Sequence, residues 1–425
     1  MLHMLIIADD LSGAADCGVA CVSHGLSAVV SLGNTDDEFD ADVLSVDSDT
    51  RYLEPEKAAE ETAAIVRRFA GNHLLFRKLD STLRGNVAAE LAATLEVRRE
   101  LTGERVVAVL APAFPAHGRT TRNGRQLLHG KPIEETESWQ REQRSAQSHL
   151  PAILKASRLE SALLDLSAVR SGQEALSAEM TRLAETADVL ICDAESDQDL
   201  RAVAEASMSL GRNTVWAGSA GLAYHLPLAS GLTRLPISVP ELPPVDGPLL
   251  FVIGSLSGVS REQVRVLAAS SDLAGISIPP RVLLAGERSP QWREYELALR
   301  DALATGKDVV ITPGSELQVE SEKGYLLCAA LAQMVAPRAD RIGALVASGG
   351  ESARAVLQAL GITHLRLIGE LETGLPCSMT EGWKRRLPVL TKAGGFGTPQ
   401  TLLHCRQRLR QTDRALAANF SSSKG

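Results

Sequence analysis

Leu5-Ile6-Ile7-Ala8, followed at once by Asp9-Asp10-Leu11-Ser12-Gly13-Ala14, is the stretch whose reading decides the fold. The apolar run Leu5–Ala8 has the length of a strand, Asp9–Gly13 reads as a turn, and helix formers continue to about Gly25. The same strand, turn and helix grammar then repeats. Strands are expected at Ala28–Ser31, Val43–Val46, Leu74–Arg77, Val106–Leu110, Ala162–Leu166, Val189–Cys192 and Thr214–Trp216. Between them, Glu56–Phe69, Val87–Arg99, Gln173–Glu185 and Leu200–Leu210 carry apolar residues at i, i+3 and i+4 with charges opposite. Uniformly apolar strands separated by amphipathic helices predict a mostly parallel sheet covered on both faces.

The pattern breaks at Pro236–Pro248, where five prolines in thirteen residues read as a semi-stiff linker. It then restarts, with strands expected at Leu249–Ile253, Gly275–Ile278, Val309–Thr312, Ala344–Ala347 and Leu365–Ile368. Helices are expected at Arg261–Ala269, Arg293–Ala304, Tyr325–Val335, Ser352–Leu360 and near Thr401–Arg410, ahead of a polar tail. The expected fold class is therefore α/β with two domains, 1–235 and 249–425, joined by the linker 236–248. Each is a mostly parallel sheet flanked by helices, and the interdomain cleft is the natural place for a ligand.

Composition narrows the function. The 425 residues hold 44 Lys and Arg against 52 Asp and Glu, a formal net charge of −8, and aromatics make up 4%. Nucleic-acid binding calls for a basic surface and stacking rings, so a general nucleic-acid partner is not expected. The longest apolar runs are strand-sized, so no membrane association is expected either. The N-terminal residues lack the basic region and the small-residue cleavage site of a signal peptide, and the six cysteines show no metal-ligand or CxxC spacing. Both point to a cytoplasmic chain without disulfides or structural zinc. Cys17 and Cys21 read as small core residues.

Three segments of the N-terminal half could carry chemistry. Asp9-Asp10 with Ser12 sits where the first strand ends, the edge at which open α/β sheets bind ligands. Adjacent carboxylates there repel and call for a cation or a hydroxyl-rich ligand, although an Asp turn with Ser12 as helix cap is the simpler reading. Lys78-Leu79-Asp80-Ser81-Thr82-Leu83-Arg84-Gly85 places cations and hydroxyls before a helix starting near Asn86, which suits an anion. The Pro112–Gly124 loop, with His117 and Arg119, has no helical pattern and the length of a functional loop. In the C-terminal half, glycines recur after successive strands: Gly254-Ser255 with Ser257, Gly314-Ser315, Ser348-Gly349-Gly350-Glu351-Ser352 and Lys392-Ala393-Gly394-Gly395-Phe396-Gly397. Together they make a nucleotide or polyphosphate site, with Lys392 as a neutralising charge. P-loop, dinucleotide-binding and protein-kinase motifs are absent from the sequence.

Taken together, these segments resemble the four-carbon acid sugar kinases. Ala8-Asp9-Asp10-Leu11-Ser12-Gly13 is similar to that family's opening, and Lys78-Leu79-Asp80-Ser81-Thr82-Leu83-Arg84-Gly85 to its Lys-x-Asp-Ser-Thr-Leu-Arg-Gly signature. Pro112-Ala113-Phe114-Pro115 with Gly118-Arg119, and Ala217-Gly218-Ser219-Ala220-Gly221-Leu222, resemble two further blocks. The glycine segments at 254–257, 348–352 and 392–397 resemble its nucleotide-binding blocks. The resemblance implies an N-terminal domain that binds threonate, erythronate or 3-oxotetronate. It also implies a C-terminal domain that binds ATP, with the γ-phosphoryl passing to the acid's 4-hydroxyl. On that basis Asp10, Asp80 and Lys78 would be catalytic, while Asp9, Ser12, Arg51, Ser81, Thr82, Arg84 and Arg119 would bind the acid sugar. Ser255, Ser257, Gly349, Gly350, Glu351, Ser352, Lys392, Gly394 and Gly395 would bind ATP. Mg²⁺ is expected on the phosphates with no protein cage, and a homodimer is compatible with the family. One departure falls at Glu137–Pro151, where family members carry an aromatic and an Asp-Pro pair, and it bears on which acid is used. A kinase of another small hydroxy acid and a non-catalytic two-lobed organic-acid sensor are the alternatives.

Overall fold

The computed structural model describes residues 2–33, 39–69, 71, 73–136, 139, 148–234, 242, 244–255, 257–269, 272–314 and 324–410. Most of the proline-rich stretch and of the divergent segment at 137–151 lies outside them, as does Ser315. The chain divides into two compact units, Met1–Ile237 and Ser238–Gly425.

The strands of unit 1 run in chain order β1 (Met4–Ala8), β2 (Ala28–Leu32), β3 (Val43–Asp47), β4 (Leu74–Lys78), β5 (Val107–Ala111), β6 (Arg119–Arg122), β7 (Arg125–Leu128), β8 (Lys131–Pro132), β9 (Ser161–Leu164), β10 (Val189–Cys192) and β11 (Thr214–Gly218). Within this unit the main sheet has the order β2-β3-β1-β4-β11-β5-β10-β9, every pair parallel. All residues of β1, β2, β3, β5, β10 and β11 are buried, which is why these strands read as unbroken apolar runs rather than alternating ones. Leu5, Ile7, Leu75, Val215 and Ala217 join one core cluster with Val87, Leu91 and Leu95 of the helix that follows β4.

Three helices matter for the site. Helix α1 (Leu11–Val22) is capped by Asp10, whose side chain accepts from the Gly13 N–H. The cap is thus Asp10 and not Ser12, because the helix begins one residue earlier than the hydroxyl. Helix α2 (Pro55–Arg68) starts on a proline and ends on Arg67 and Arg68, both matched to the helix dipole. Helix α3 (Val87–Thr102) ends at Gly103, whose φ of 67° only glycine adopts without strain.

The loop after β5 differs from the sequence expectation. It carries a hairpin, β6 and β7, joined by Asn123-Gly124 with φ of 52° and 66°, and β8 pairs next to it. Two successive positive φ values match the twist of a two-residue hairpin, and Asn-Gly is the dipeptide that takes them most readily. The buried Asp193 carboxylate accepts both turn amides, at 2.5 and 2.9 Å.

Unit 2 contains β12 (Leu249–Ile253), β13 (Leu273–Ile278), β14 (Asp308–Pro313), β15 (Ala344–Ser348), β16 (His364–Glu370), β17 (Pro376–Glu381) and β18 (Pro388–Lys392). Their order is β13-β14-β12-β15-β18-β17-β16, parallel up to β18 and antiparallel for β17 against both neighbours. A separate core gathers Leu249, Phe251, Val346, Leu390 and Leu402. No helix among the described residues is long and apolar enough to cross a membrane.

One position ties the sheet of unit 1 together. Gly218 pairs with Lys78 of β4 and Ala111 of β5, and a Cβ there would lie 2.3 Å from the Ala111 carbonyl oxygen. Backbone must move to admit it, so Gly218→Ala is expected to lose about 1–3 kcal/mol of stability. Urea unfolding measures this, and an unchanged midpoint would contradict the close approach.

Candidate functional site

Parallel register assembles the site in unit 1. Ala8 of β1 lies opposite Asp47 of β3 and Lys78 of β4, so the residues that follow all three strands emerge at one edge. Asp9 and Asp10 come from the first, Arg51 from the second, and Asp80 to Arg84 from the third.

Arg51 sits at the centre. Its Nε and Nη2 grip Asp9 at 2.8 and 2.9 Å, and Nη1 reaches Asp10 Oδ2 at 2.7 Å. Asp80 Oδ1 stands 3.8 Å from Nη2. Asp80 also takes Arg84 Nε and Nη2 at 2.8 and 2.9 Å, the Thr82 hydroxyl, and the amides of Thr82 and Arg84. Burial alone would push the Asp80 carboxyl up, but Arg84, then Arg51 and Lys78, hold it well below the usual carboxylate range. Burial raises Asp9 likewise, and Arg51 outweighs it, so that carboxyl too is lowered. Against its own desolvation, Arg51 is held well above the ordinary arginine value by Asp10, Asp9 and Asp80.

Lys78 is 6% exposed, and among the described residues its ammonium has no hydrogen-bond partner. It lies beside the first turn of α1, where a Cβ on Gly13 would come within 2.8 Å of Nζ and 3.2 Å of Cγ. The absence of a side chain at Gly13 is what lets the cation approach the helix start. Ser12 is buried with no partner for its hydroxyl among the described residues. Gly85, with φ of +88°, turns the chain where a Cβ would lie 2.9 Å from Asp9 Oδ2. Arg119 is half-buried, and burial pushes its guanidinium down, while Asp80 draws it up and Arg84 down. The cluster thus sets Arg51, Lys78, Arg84 and Arg119 against Asp9, Asp10 and Asp80, an excess of positive charge suited to a small monoanion carrying hydroxyls.

The support beneath the cluster was not legible as function. Arg77 and Glu90 form a fully buried ion pair, and the Thr50 hydroxyl donates to the same carboxylate. Thr50 bonds Ser48, whose hydroxyl also meets the Ala8 carbonyl at 2.8 Å, and Asn86 Nδ2 donates to the carbonyls of Thr50 and Leu53. The loop that presents Arg51 is therefore held from two sides. Gln126, wholly buried in β7, donates to the Ser81 and Pro112 carbonyls at 2.8 and 3.2 Å and fixes the other loop. The available signal was Arg77 itself, a charge inside a buried strand, and Glu90 on an apolar helix face. Neither is found so deep without a partner.

Register works the same way in unit 2. Ser348 of β15 lies opposite Ile253 of β12 and Lys392 of β18, which brings the segments after 253, 348 and 392 to one edge. They approach closely at Gly254 and Gly394, while a Cβ on Gly395 would meet open space. A Cβ on Gly254 would lie 2.0 Å from Ser352 Oγ, and one on Gly394 2.3 Å from Ser255 Oγ. Ser257 caps the helix Gly258–Ala268 and donates to the Gly394 carbonyl at 2.8 Å. Gly349, with φ of +101°, and Gly350 open the helix Gly350–Ala359, and Glu351 is exposed there. Two residues stand elsewhere than a phosphate contact would require. Ser352 is buried, with its hydroxyl 3.2 Å from Cys328 Sγ, and Lys392 is 1% exposed with its ammonium turned under the glycine loop. Among the described residues, no group of three or more His, Cys, Asp or Glu could hold a metal ion.

Comparison with known proteins agrees with this division. A family described as a sugar-binding N-terminal domain matches residues 4–226, and one described as a nucleotide-binding C-terminal domain matches residues 250–402. The chain is 38% identical to D-threonate kinase of Cupriavidus necator, over 97% of this chain and 99% of that protein. It is 26% identical to D-erythronate kinase of Heliobacterium modesticaldum, over 95% and 96%. With 3-oxo-tetronate kinase of Methylobacterium radiotolerans it shares 28%, over 92% and 95%. A solved structure of a Haemophilus influenzae protein, 18% identical, is alike in fold with a TM-score of 0.72, covering 95% of this chain and all of that one.

The electrostatics give a pH test. Asp9 and Asp80 are lowered from an ordinary 3.8, so the stability they contribute is present above that value and is lost as pH falls through their lower folded values. The melting temperature is expected to drop on acidification below about pH 4. Asp80→Asn should be less stable at neutral pH and lose less over the acid window; an undiminished acid slope would remove Asp80 from this account.

Proposed function

The chain belongs to the four-carbon acid sugar kinase family, and from that premise we propose that it transfers the γ-phosphoryl of ATP to the 4-hydroxyl of a four-carbon sugar acid. D-threonate is the first acid to test, because the relative 38% identical to this chain bears that name. The observation that carries the reading is the charge cluster around Arg51, with the Lys78 ammonium held close by and not committed to any hydrogen bond among the described residues.

In this reading Lys78 and Arg119 receive the acid's carboxylate, while Ser12, Ser81 and Thr82 meet its hydroxyls. Asp9 and Asp80 have both oxygens occupied by guanidinium groups, so their task is to hold Arg51 and Arg84 in place. Asp10 has one oxygen on the Gly13 amide and the other on Arg51, and its side chain is more exposed than those two. It keeps lone pairs for the reacting hydroxyl and is the residue best placed to orient it. Phosphoryl transfer through a loose transition state asks little of a base and much of positioning, which fits Asp9 and Asp80, both lowered by their guanidinium partners. ATP is assigned to the glycine segments of unit 2, whose side-chain-free surface admits phosphate. Mg²⁺ would ride on those phosphates, as this ion usually keeps several waters and few protein ligands.

ADP release is expected to depend on a tetronate, and a panel of D-threonate, D-erythronate, 3-oxotetronate and longer aldonates decides among acids. Asp10→Asn and Lys78→Met should each lower kcat/KM by roughly 10²-fold or more, with melting temperatures showing that both fold. Full activity in either variant would refute the role given to it, and no ADP release with any acid in the panel would refute the reaction.

A further inference from the structure

The glycine segment after β18 has an ordered underside. Lys392 Nζ donates to the carbonyls of Ala393, Gly394 and Phe396 at 2.8, 3.3 and 3.0 Å, three acceptors for the three hydrogens of an ammonium. Ser257 Oγ and Ser260 Oγ both donate to the Gly394 carbonyl at 2.8 Å. Gln263 Nε2 takes those of Phe396 and Thr398 at 3.0 and 2.9 Å. In a trans peptide the C=O and the following N–H point in opposite directions. Carbonyls 393, 394 and 396 turned inward therefore turn the amides of Gly394, Gly395 and Gly397 outward. None of those three amides has an acceptor among the described residues. Three carbonyls converge on one ammonium below, and the three amides are left on the outer side of the loop, above a buried positive charge that favours an anion there.

We propose that Lys392 is the positioning residue of this nest, its ammonium setting the peptide planes that present the amides of Gly394, Gly395 and Gly397 to the phosphates of the nucleotide. The inference rests on the nucleotide reading of unit 2 and deepens it. The lysine acts from behind the loop, so no phosphate need touch it, and its charge adds to the field at the amides across a low-dielectric layer. Without the charge, three carbonyls would face one another with fewer donors, and the planes would be free to flip.

The proton on Lys392 then governs nucleotide affinity. Burial pushes this group down to about 8, and the other titratable group facing it is the buried thiol of Cys405, in the helical segment 401–410. Cys405 has Cys377 and Glu372 as its own neighbours. Phosphates favour the protonated lysine, so affinity is full below pH 8 and falls above it. The fold responds in the opposite sense. A lysine lowered from 10.5 to about 8 is more easily neutralised in the folded protein than in the unfolded chain, so its contribution to unliganded stability rises across that window. A merely structural lysine would not separate the two.

The test uses the full chain, ADP titration calorimetry from pH 7 to 9.5, and melting of the unliganded protein. For the parent protein the ADP Kd is expected to rise above pH 8 by up to about tenfold per pH unit, the limit for one linked proton. Lys392→Met should weaken ADP binding at pH 7 at least tenfold and abolish the pH dependence. It should also raise KM for ATP while leaving KM for the acid within twofold. Lys392→Arg, which keeps its charge across the range, should remove the pH dependence and restore part of the affinity. An ADP Kd in Lys392→Met equal to the parent's would overturn the inference. If that variant does not fold, a parent Kd that stays flat from pH 7 to 9.5 overturns it as well. No ADP binding by the parent at pH 7 would instead overturn the nucleotide reading, and this inference with it.

Discussion

Three carboxylates from two segments meet around a single guanidinium, and the arrangement of unit 1 follows from keeping that guanidinium in place. Asp9, Asp10 and Asp80 would repel one another at the ends of adjacent strands, and each is costly to bury as a bare anion. Arg51 relieves all three, yet it comes from a loop outside any helix or strand, closed by one turn bond from the Leu53 amide to the Thr50 carbonyl. Asn86 and the Thr50–Glu90–Arg77 chain supply what that loop lacks. A buried pair such as Arg77 and Glu90 adds little net stability, but removal of one partner costs about 3–5 kcal/mol because the other is left charged and dry. The site is thereby tied to the core through charge as much as through packing.

In the function proposed above, the two units would reach anion recognition by different means. Unit 1 would use side chains, with cations in excess of carboxylates at one sheet edge. Unit 2 would use backbone amides and one buried lysine. Both would overcome a chain whose formal charge is −8. Bulk charge acts over distances screened within about 8–10 Å in physiological salt, whereas these contacts operate inside that length. Overall acidity therefore says little about the small anions a protein can hold.

Much of this was readable from local pattern. Apart from β17 and β18, the strands of the two main sheets stand within a residue or two of the apolar runs that predict them, because residues buried on both faces must be apolar. Asp9, Asp10, Arg51, Lys78, Asp80 and Arg84 converge because parallel register carries the ends of neighbouring strands to one edge. Other features were hidden for physical reasons. The β6–β7 hairpin lacks an apolar alternation, and its Asn123-Gly124 turn was the sole clue. Strands β17 and β18 carry no such signal, because Pro376–Glu381 is mostly polar and Pro388–Lys392 is a short run among polar neighbours. The direction of Lys392 is beyond sequence altogether, since a lysine beside a glycine loop can face solvent or turn beneath the loop, and the composition is the same in either case.

The strand order of unit 1 has a consequence in time. β11 is made after every other strand of its unit, yet it lies between β4 and β5, with Gly218 against both. As the chain leaves the ribosome, the first hundred residues contain Asp9, Arg51 and Asp80, but β4 keeps one open flank until synthesis has passed residue 218. The nascent unit must hold that apolar flank without pairing it to the nearest available strand, β5, which is completed about a hundred residues earlier. Gly218, which admits the close approach of the Ala111 carbonyl, makes the late insertion tight once it occurs, so the sheet of unit 1 closes only when β11 is in place.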